Sequence, residues 1–234
     1  SLSIPEPALY TAPGSPVTGL LVDTLAQIRG GVFILDGGAN YYTYFEGQTA
    51  ELGARLVNVG KEAVNDEKVL LTIGRDDVQE WSVSLSPGEI ARIAVSELIA
   101  SWPEEGVNIS IAFPPYDIAE HDVHIWRPKA EKSFITVENG DFMLEGARWR
   151  PHGVNYMPSS GIGAEDWDYF EHWLGARAYD PEIIQRDLDH IKDMGMNSVS
   201  IFIHYAAIES QNLLDLLRRL EKMDMKANLS LRPG

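Results

Sequence analysis

Apolar and polar residues alternate through the middle of this chain. Val107, Ile109, Ile111 and Phe113 are interleaved with Asn108, Ser110 and Ala112, the period of a half-buried strand. Trp81, Val83 and Leu85 repeat the pattern, as do Ala91, Ile93 and Val95, and Leu52, Ala54 and Leu56. Turn residues part the runs at Asn58–Gly60, Gly74–Asp77, Pro87-Gly88, Pro103–Gly106 and Pro114-Pro115. The spacing predicts strands over 41–45, 50–58, 67–74, 79–85, 90–97, 106–113 and 121–126. Short strands at this density predict an antiparallel β-sandwich over 40–128, with Trp81, Val83, Leu85, Ile93, Val95, Val107, Ile109, Ile111 and Phe113 facing its core.

The flanks read differently. Residues 1–39 are rich in Pro and Gly and read as a linker or extended arm. Within them Val22, Leu25 and Ile28 have near-helical spacing up to Gly30-Gly31, and Val32–Leu35 fits a short strand. Residues 128–132 are polar and without period, which places a boundary near 130. Beyond it Asn139-Gly140 turns a hairpin, Gly146 turns again, and a strand runs toward Val154. Asp180 is an N-cap before Pro181 and Glu182, Ile184, Leu188 and Ile191 recur at helical spacing, and Gly195 ends the helix. Val199–Ile203 is a strand. Ser210 is the expected cap of a second helix with Leu213, Leu216, Leu217, Leu220 and Met223 on one face, and Ala227–Leu231 is a third strand. Strand, helix, strand, helix, strand predicts parallel α/β units over 134–234. A (β/α)8 barrel needs roughly 200 residues or more, so the chain reads as incomplete at its C-terminus; starting at Ser1, it also reads as a mature form or an excised piece.

Composition removes several functions. The 234 residues contain no Cys, so disulfides, thiolate metal sites and thiol nucleophiles are excluded. The net charge of −16 disfavours nucleic acid as a partner and leaves a neutral sugar indifferent. No apolar run approaches the roughly 18 residues of a membrane span. His121 and His124 stand at odd spacing on a strand and point to opposite faces, so no metal site is expected there. No phosphate loop, dinucleotide fingerprint or Gly-x-Ser-x-Gly elbow is present, and no cofactor is expected.

In parallel α/β folds functional groups gather at the carboxyl ends of the strands. Those ends deliver Asn155 and Tyr156, His204 and Tyr205, and Arg232. A long loop, 157–179, follows the first strand and carries Trp167 and Trp173. Their rings are suited equally to stacking on a sugar and to packing under the loop. These seven residues are the candidate substrate-binding set, expected to converge on one concavity.

Two resemblances follow from these segments. Ala50–Gly60 with Leu85–Glu89 resembles the immunoglobulin-like or fibronectin-like modules of secreted enzymes, which implies a secreted or cell-surface location. Phe142–Tyr156, Tyr179–Ile201 and Leu229–Gly234 are similar to the opening hairpin and first strands and helix of the retaining (β/α)8 glycoside hydrolases, the clan of cellulases, β-mannanases and β-galactosidases. The resemblance implies a sandwich followed by the first three strands and two helices of a TIM barrel, a carbohydrate substrate, and hydrolysis of O-glycosidic bonds with retention. It places the acid/base and nucleophile glutamates on strands four and seven, beyond the end of this chain, so neither catalytic residue is named. Ser200 stands where many members of the clan have Arg. The alternative is a non-catalytic carbohydrate-binding or structural module.

Overall fold

The alternating runs form strands where the spacing places them. The computed structural model describes residues 15–75, 77–98, 102–103, 105–127, 133–158, 170–176, 178–204 and 208–232. They fall into two compact units, one drawn from 1–40, 49–101 and 106–123, the other from 41–48, 102–105 and 124–234.

The first unit is a two-sheet sandwich. One sheet is antiparallel in the order β1 (Val32–Ala39), β3 (Thr49–Asn58), β6 (Ile90–Leu98). The facing sheet runs β8 (Asp117–Trp126), β7 (Val107–Phe113), β4 (Val64–Ile73), β5 (Asp77–Leu85), also antiparallel. Alternation decides what goes inside. Leu52 and Leu56 of β3 are fully buried, as are Leu71, Leu85, Ile109, Ile111 and Phe113 of the other sheet. Of the expected core, Trp81 and Val95, on the edge strands β5 and β6, and Val107, the first residue of β7, are only half-buried. Gly53 sets the spacing of β3 and β6, since a Cβ there would stand 2.0 Å from the Ile93 carbonyl oxygen. Within residues 1–39, Pro16–Gly30 is a helix (α1) closed by Gly31 at φ 80°, and β1 follows it.

The second unit holds two small sheets. Asn139 and Gly140, both at positive φ, turn β9 (Thr136–Glu138) into β10 (Asp141–Leu144), which pairs with β11 (Ala147–Arg148). A parallel sheet follows in the order β12 (Gly153–Asn155), β13 (Ser198–His204), β14 (Lys226–Arg232). Helices α2 (Pro181–Asp193) and α3 (Ser210–Lys222) connect its strands. The Asp180 carboxylate accepts from the backbone N–H of Glu182 and Ile183, as its N-cap position requires. Ser210 does not cap α3: Glu209 holds the N-cap position without a side-chain cap bond, and the Ser210 hydroxyl donates to Gln211. Ile184, Leu188 and Ile191 of α2 and Leu216 and Leu220 of α3 bury one face of β13 through Val199, Ile201 and Ile203.

The expected fold class, a sandwich joined to part of a TIM barrel, is not what forms. Among the described residues the chain is mostly strand, divided among several separate sheets, with three α-helices and one short 3-10 helix. The parallel strands make an open sheet of three with no closure. With only three parallel strands among the described residues, the end of β14 stays uncovered: Leu231 is 78% exposed. No described helix is long and apolar enough to cross a membrane.

The second unit also takes in a segment that alternation assigned to the sandwich. β2 (Thr43–Phe45) pairs in parallel with His124–Trp126 at the end of β8. Thr43 is fully buried against α3, where its hydroxyl donates to the Asp215 carboxylate at 2.7 Å and accepts from the Arg218 guanidinium at 3.0 Å.

Candidate functional site

Parallel register lines up side chains in rows across β12, β13 and β14. Asn155, Ser200 and Asn228 form one row, with Gly153, Ser198 and Lys226 below it and Phe202 and Ser230 above. His204 and Arg232 pair at the top. Because strand residues alternate between faces, these positions lie opposite Val199, Ile201 and Ile203. One sheet face is therefore apolar and packed against the helices through Val199, Ile201 and Ile203, and the other is polar and open. The Asn228 amide donates to the Ser200 hydroxyl at 3.3 Å.

A concavity of about 670 Å³ sits over the open face. Its floor is Asn155, Ser198, Ser200 and Asn228, with Lys226 and Gly153 at the foot. Its apolar wall is Ile135, Phe142 and Trp149, the last two packed edge to face with centroids 6.4 Å apart. The wall is built by the hairpin. β10 presents Phe142, and the Trp149 N–H donates to the Phe142 carbonyl at 2.7 Å, which fixes the strand end carrying the indole. Phe142 is exposed and Trp149 half-buried. No carboxylate and no histidine lines the concavity among the described residues. Such a lining can donate and accept hydrogen bonds beside a flat apolar surface, with Lys226 as its one charged side chain among the described residues. No group of three or more metal-ligating side chains occurs among the described residues.

The structure divides the predicted set. Asn155 lies on the floor of the concavity. Tyr156, one residue on, points to the other face. It is buried, edge to face with Trp173 at 5.7 Å, and its hydroxyl stands 3.4 Å from Asp187 of α2. Burial, reinforced by the Asp187 carboxylate, holds the Tyr156 phenol well above its ordinary range. Trp173, on the 3-10 helix Phe170–Leu174, is 1% exposed and belongs to the helix-side core. His204 follows the parity of Ser200, its ring 5.0 Å from that of His172. The backbone of Arg232 pairs with His204. Trp167 and Tyr205 lie outside the described residues. The set thus does not share one concavity: Asn155 opens onto one face, while Tyr156 and Trp173 are core on the other.

Trp149, Phe142, Ser198, Asn228 and Lys226 are absent from the predicted set. Their signal was the alternation itself. A strand of a covered parallel sheet reads as a near-continuous apolar run, whereas Ser198, Ser200, Asn228 and Ser230 interrupt β13 and β14 at every second position.

No protein-family model matches this chain, and no curated protein does. Solved structures similar to it include glycosidases and an isolated CARDB domain. A GH2 β-galacturonidase from Eisenbergiella tayi, bound to galacturonate, is 18% identical over 84% of this chain and 32% of its own, with a TM-score of 0.40. β-Glucuronidase 2 from Bacteroides uniformis is 18% identical over 85% of this chain and 22% of its own, with a TM-score of 0.33. A CARDB domain from Pyrococcus furiosus is 22% identical over 40% of this chain and 91% of its own, with a TM-score of 0.34. The chain spans about a third of the length of the galacturonidase. All three scores lie below 0.5, so the architecture rests on the register and packing above.

Proposed function

We propose that this chain binds carbohydrate on the open face of its parallel sheet, as a non-catalytic module of a glycosidase-related protein. The row Asn155–Ser200–Asn228 beneath Trp149 carries the reading. Amides and hydroxyls in register match the paired donors and acceptors of sugar hydroxyls, and an indole face beside them suits the apolar face of a pyranose. The lining lacks carboxylates among the described residues, which favours binding over cleavage. Retaining hydrolysis needs two carboxyl groups about 5–5.5 Å apart, one protonated and one ionised. The resemblance of Phe142–Tyr156 and Tyr179–Ile201 to glycoside hydrolases supports the sugar as the ligand class. The test is calorimetric titration of the purified chain with a panel of neutral and acidic oligosaccharides, beside a turnover assay on aryl glycosides. The reading expects saturable binding that Trp149→Ala and Asn228→Ala weaken, and no turnover. Saturable hydrolysis abolished by a point substitution within this chain would overturn it.

The second reading is that a longer protein containing this chain cleaves O-glycosidic bonds with retention, through carboxylates supplied elsewhere. The same resemblance supports it. Turnover by the longer protein but not by these 234 residues is its expected result.

A further inference from the structure

The lowest row of the open face is Gly153, Ser198 and Lys226, held in register by the two parallel ladders. Lys226 is the only charged residue lining the concavity among the described residues, in a chain of net charge −16. Its nearest ion-pair partner is Asp224, with Nζ–Oδ1 at 3.8 Å, at the outer limit for such a pair. The Asp224 side chain is 90% exposed and that of Lys226 only 29%, so the carboxylate stays in water while the ammonium stem lies against the protein. A Cβ on Gly153 would stand 2.1 Å from the Ser198 carbonyl oxygen and 2.5 Å from its hydroxyl, so only glycine lets β12 approach Ser198 this closely. A single cation in register with a hydroxyl, at the foot of an open concavity of about 670 Å³, describes a receptor for one small anionic group.

Resting on the carbohydrate reading above, we propose that the ligand is an acidic sugar, a uronic acid residue alone or within an oligosaccharide, whose carboxylate is received by Lys226 and the Ser198 hydroxyl. The Asn155–Ser200–Asn228 row lies two residues further along the strands, roughly 6.5 Å away at strand rise. One sugar ring spans that interval, so a carboxylate at Lys226 leaves ring hydroxyls opposite the amides. A charge-assisted bond from the ammonium is roughly twice as strong as its neutral counterpart. A neutral sugar, with a hydroxymethyl group in place of the carboxylate, makes only the neutral bond. The single positive charge matches a monoanionic carboxylate better than a dianionic phosphate.

The experiment is calorimetric titration of the full chain at pH 7 with matched pairs: glucuronate against glucose, galacturonate against galactose, and the corresponding trimers. The expected result is that the acidic member of at least one pair binds tenfold or more tightly. Lys226→Met should bring its affinity down to the neutral level, and Lys226→Arg should retain the preference. Carbon-13 shifts of the Lys226 Cε in the unmodified chain supply a readout independent of any variant, and they should move on adding the acidic sugar. Equal affinity for acidic and neutral members overturns this inference and leaves the carbohydrate site standing. A preference that survives Lys226→Met, or tighter binding of glucose 6-phosphate than of glucuronate, overturns it as well. Binding of neither member of any pair overturns the carbohydrate reading and this inference with it.

Discussion

Thr43 and Asp215 are 172 positions apart in the chain, yet the threonine hydroxyl donates to the aspartate carboxylate at 2.7 Å with both side chains fully buried. That bond is one of several converging on Asp215. Its second oxygen accepts from the Tyr179 hydroxyl at 2.6 Å and from the Arg219 guanidinium at 2.6 Å, and Arg218 reaches the first at 2.9 Å. Arg219 continues to Gln185 of α2 at 2.9 Å. One carboxylate therefore ties β2, the loop before α2, and both helices into a single polar network. Every charged member is paired, the condition under which a buried charge is tolerated.

Removing the carboxylate should therefore be severe. Asp215→Asn leaves two buried guanidinium groups short of their counter-charge, and breaking a buried pair in this way costs about 3–5 kcal/mol. Thr43→Val deletes one partner and keeps the ions, for about 1 kcal/mol. Urea unfolding of the two variants measures both. Equal, small losses would show that the network does not hold this unit together.

The same carboxylate sets an acid limit. Burial opposes its ionisation, but Arg219, the Tyr179 hydroxyl and Arg218 outweigh burial and hold its pKa at about 2, against 3.8 for the free group. Between those values the unfolded chain takes up a proton that the folded chain refuses, so stability rises with pH across the window. The contribution is fully present above about pH 4 and is lost as pH falls through 2. At about 1.4 kcal/mol per unit of pKa, it amounts to roughly 2 kcal/mol. A carbon-13 titration of the Asp215 carboxyl group should show its midpoint near 2, and an unshifted midpoint would contradict the network.

Two residues that sequence reasoning assigned to sugar contact should behave as core. Trp173→Ala empties a site that is 1% exposed, at a cost of about 3–5 kcal/mol. Tyr156→Phe gives up only the long contact to Asp187, so stability and sugar affinity should stay close to the parent values. Thermal unfolding beside a binding titration separates the two roles. A Tyr156→Phe protein of normal stability that no longer binds would return that residue to the site.

These outcomes bear on what the chain makes legible. The sandwich strands were readable because each has one covered and one solvated face, so alternation reports burial directly. The α2 cap was readable because Asp180-Pro181 satisfies backbone donors locally. The dual covering of α3 was hidden. Asp215 and Arg218 are buried where they meet Thr43 of β2, and Asn212 where it meets Leu174 and Gly175, and polar residues do not announce burial. The split between Asn155 and Tyr156 was overlooked for a simpler reason. Both end the same strand, but adjacent strand residues point to opposite faces, so a shared strand end does not make a shared site.

Trp149 supplies the ring face of the proposed site from outside the parallel sheet. Its replacement by Ala should lower affinity for the preferred oligosaccharide at least tenfold, because stacking contributes about 1 kcal/mol or more beyond the area it buries. The parallel sheet should persist, since Trp149 packs against the Phe142 hairpin rather than the helix-side core. Competition titration with circular dichroism as the folding control measures both. Unchanged affinity would remove the indole from the site.

The central claim is that sugar occupies the open face of β12, β13 and β14. An amide-resolved NMR titration of the chain with its preferred oligosaccharide tests it most directly. The account predicts saturable shifts at the Trp149 indole N–H and at the side-chain amides of Asn155 and Asn228, with the Trp173 indole unmoved. Shifts centred on Trp173, or none at the three open-face groups at saturation, would contradict it.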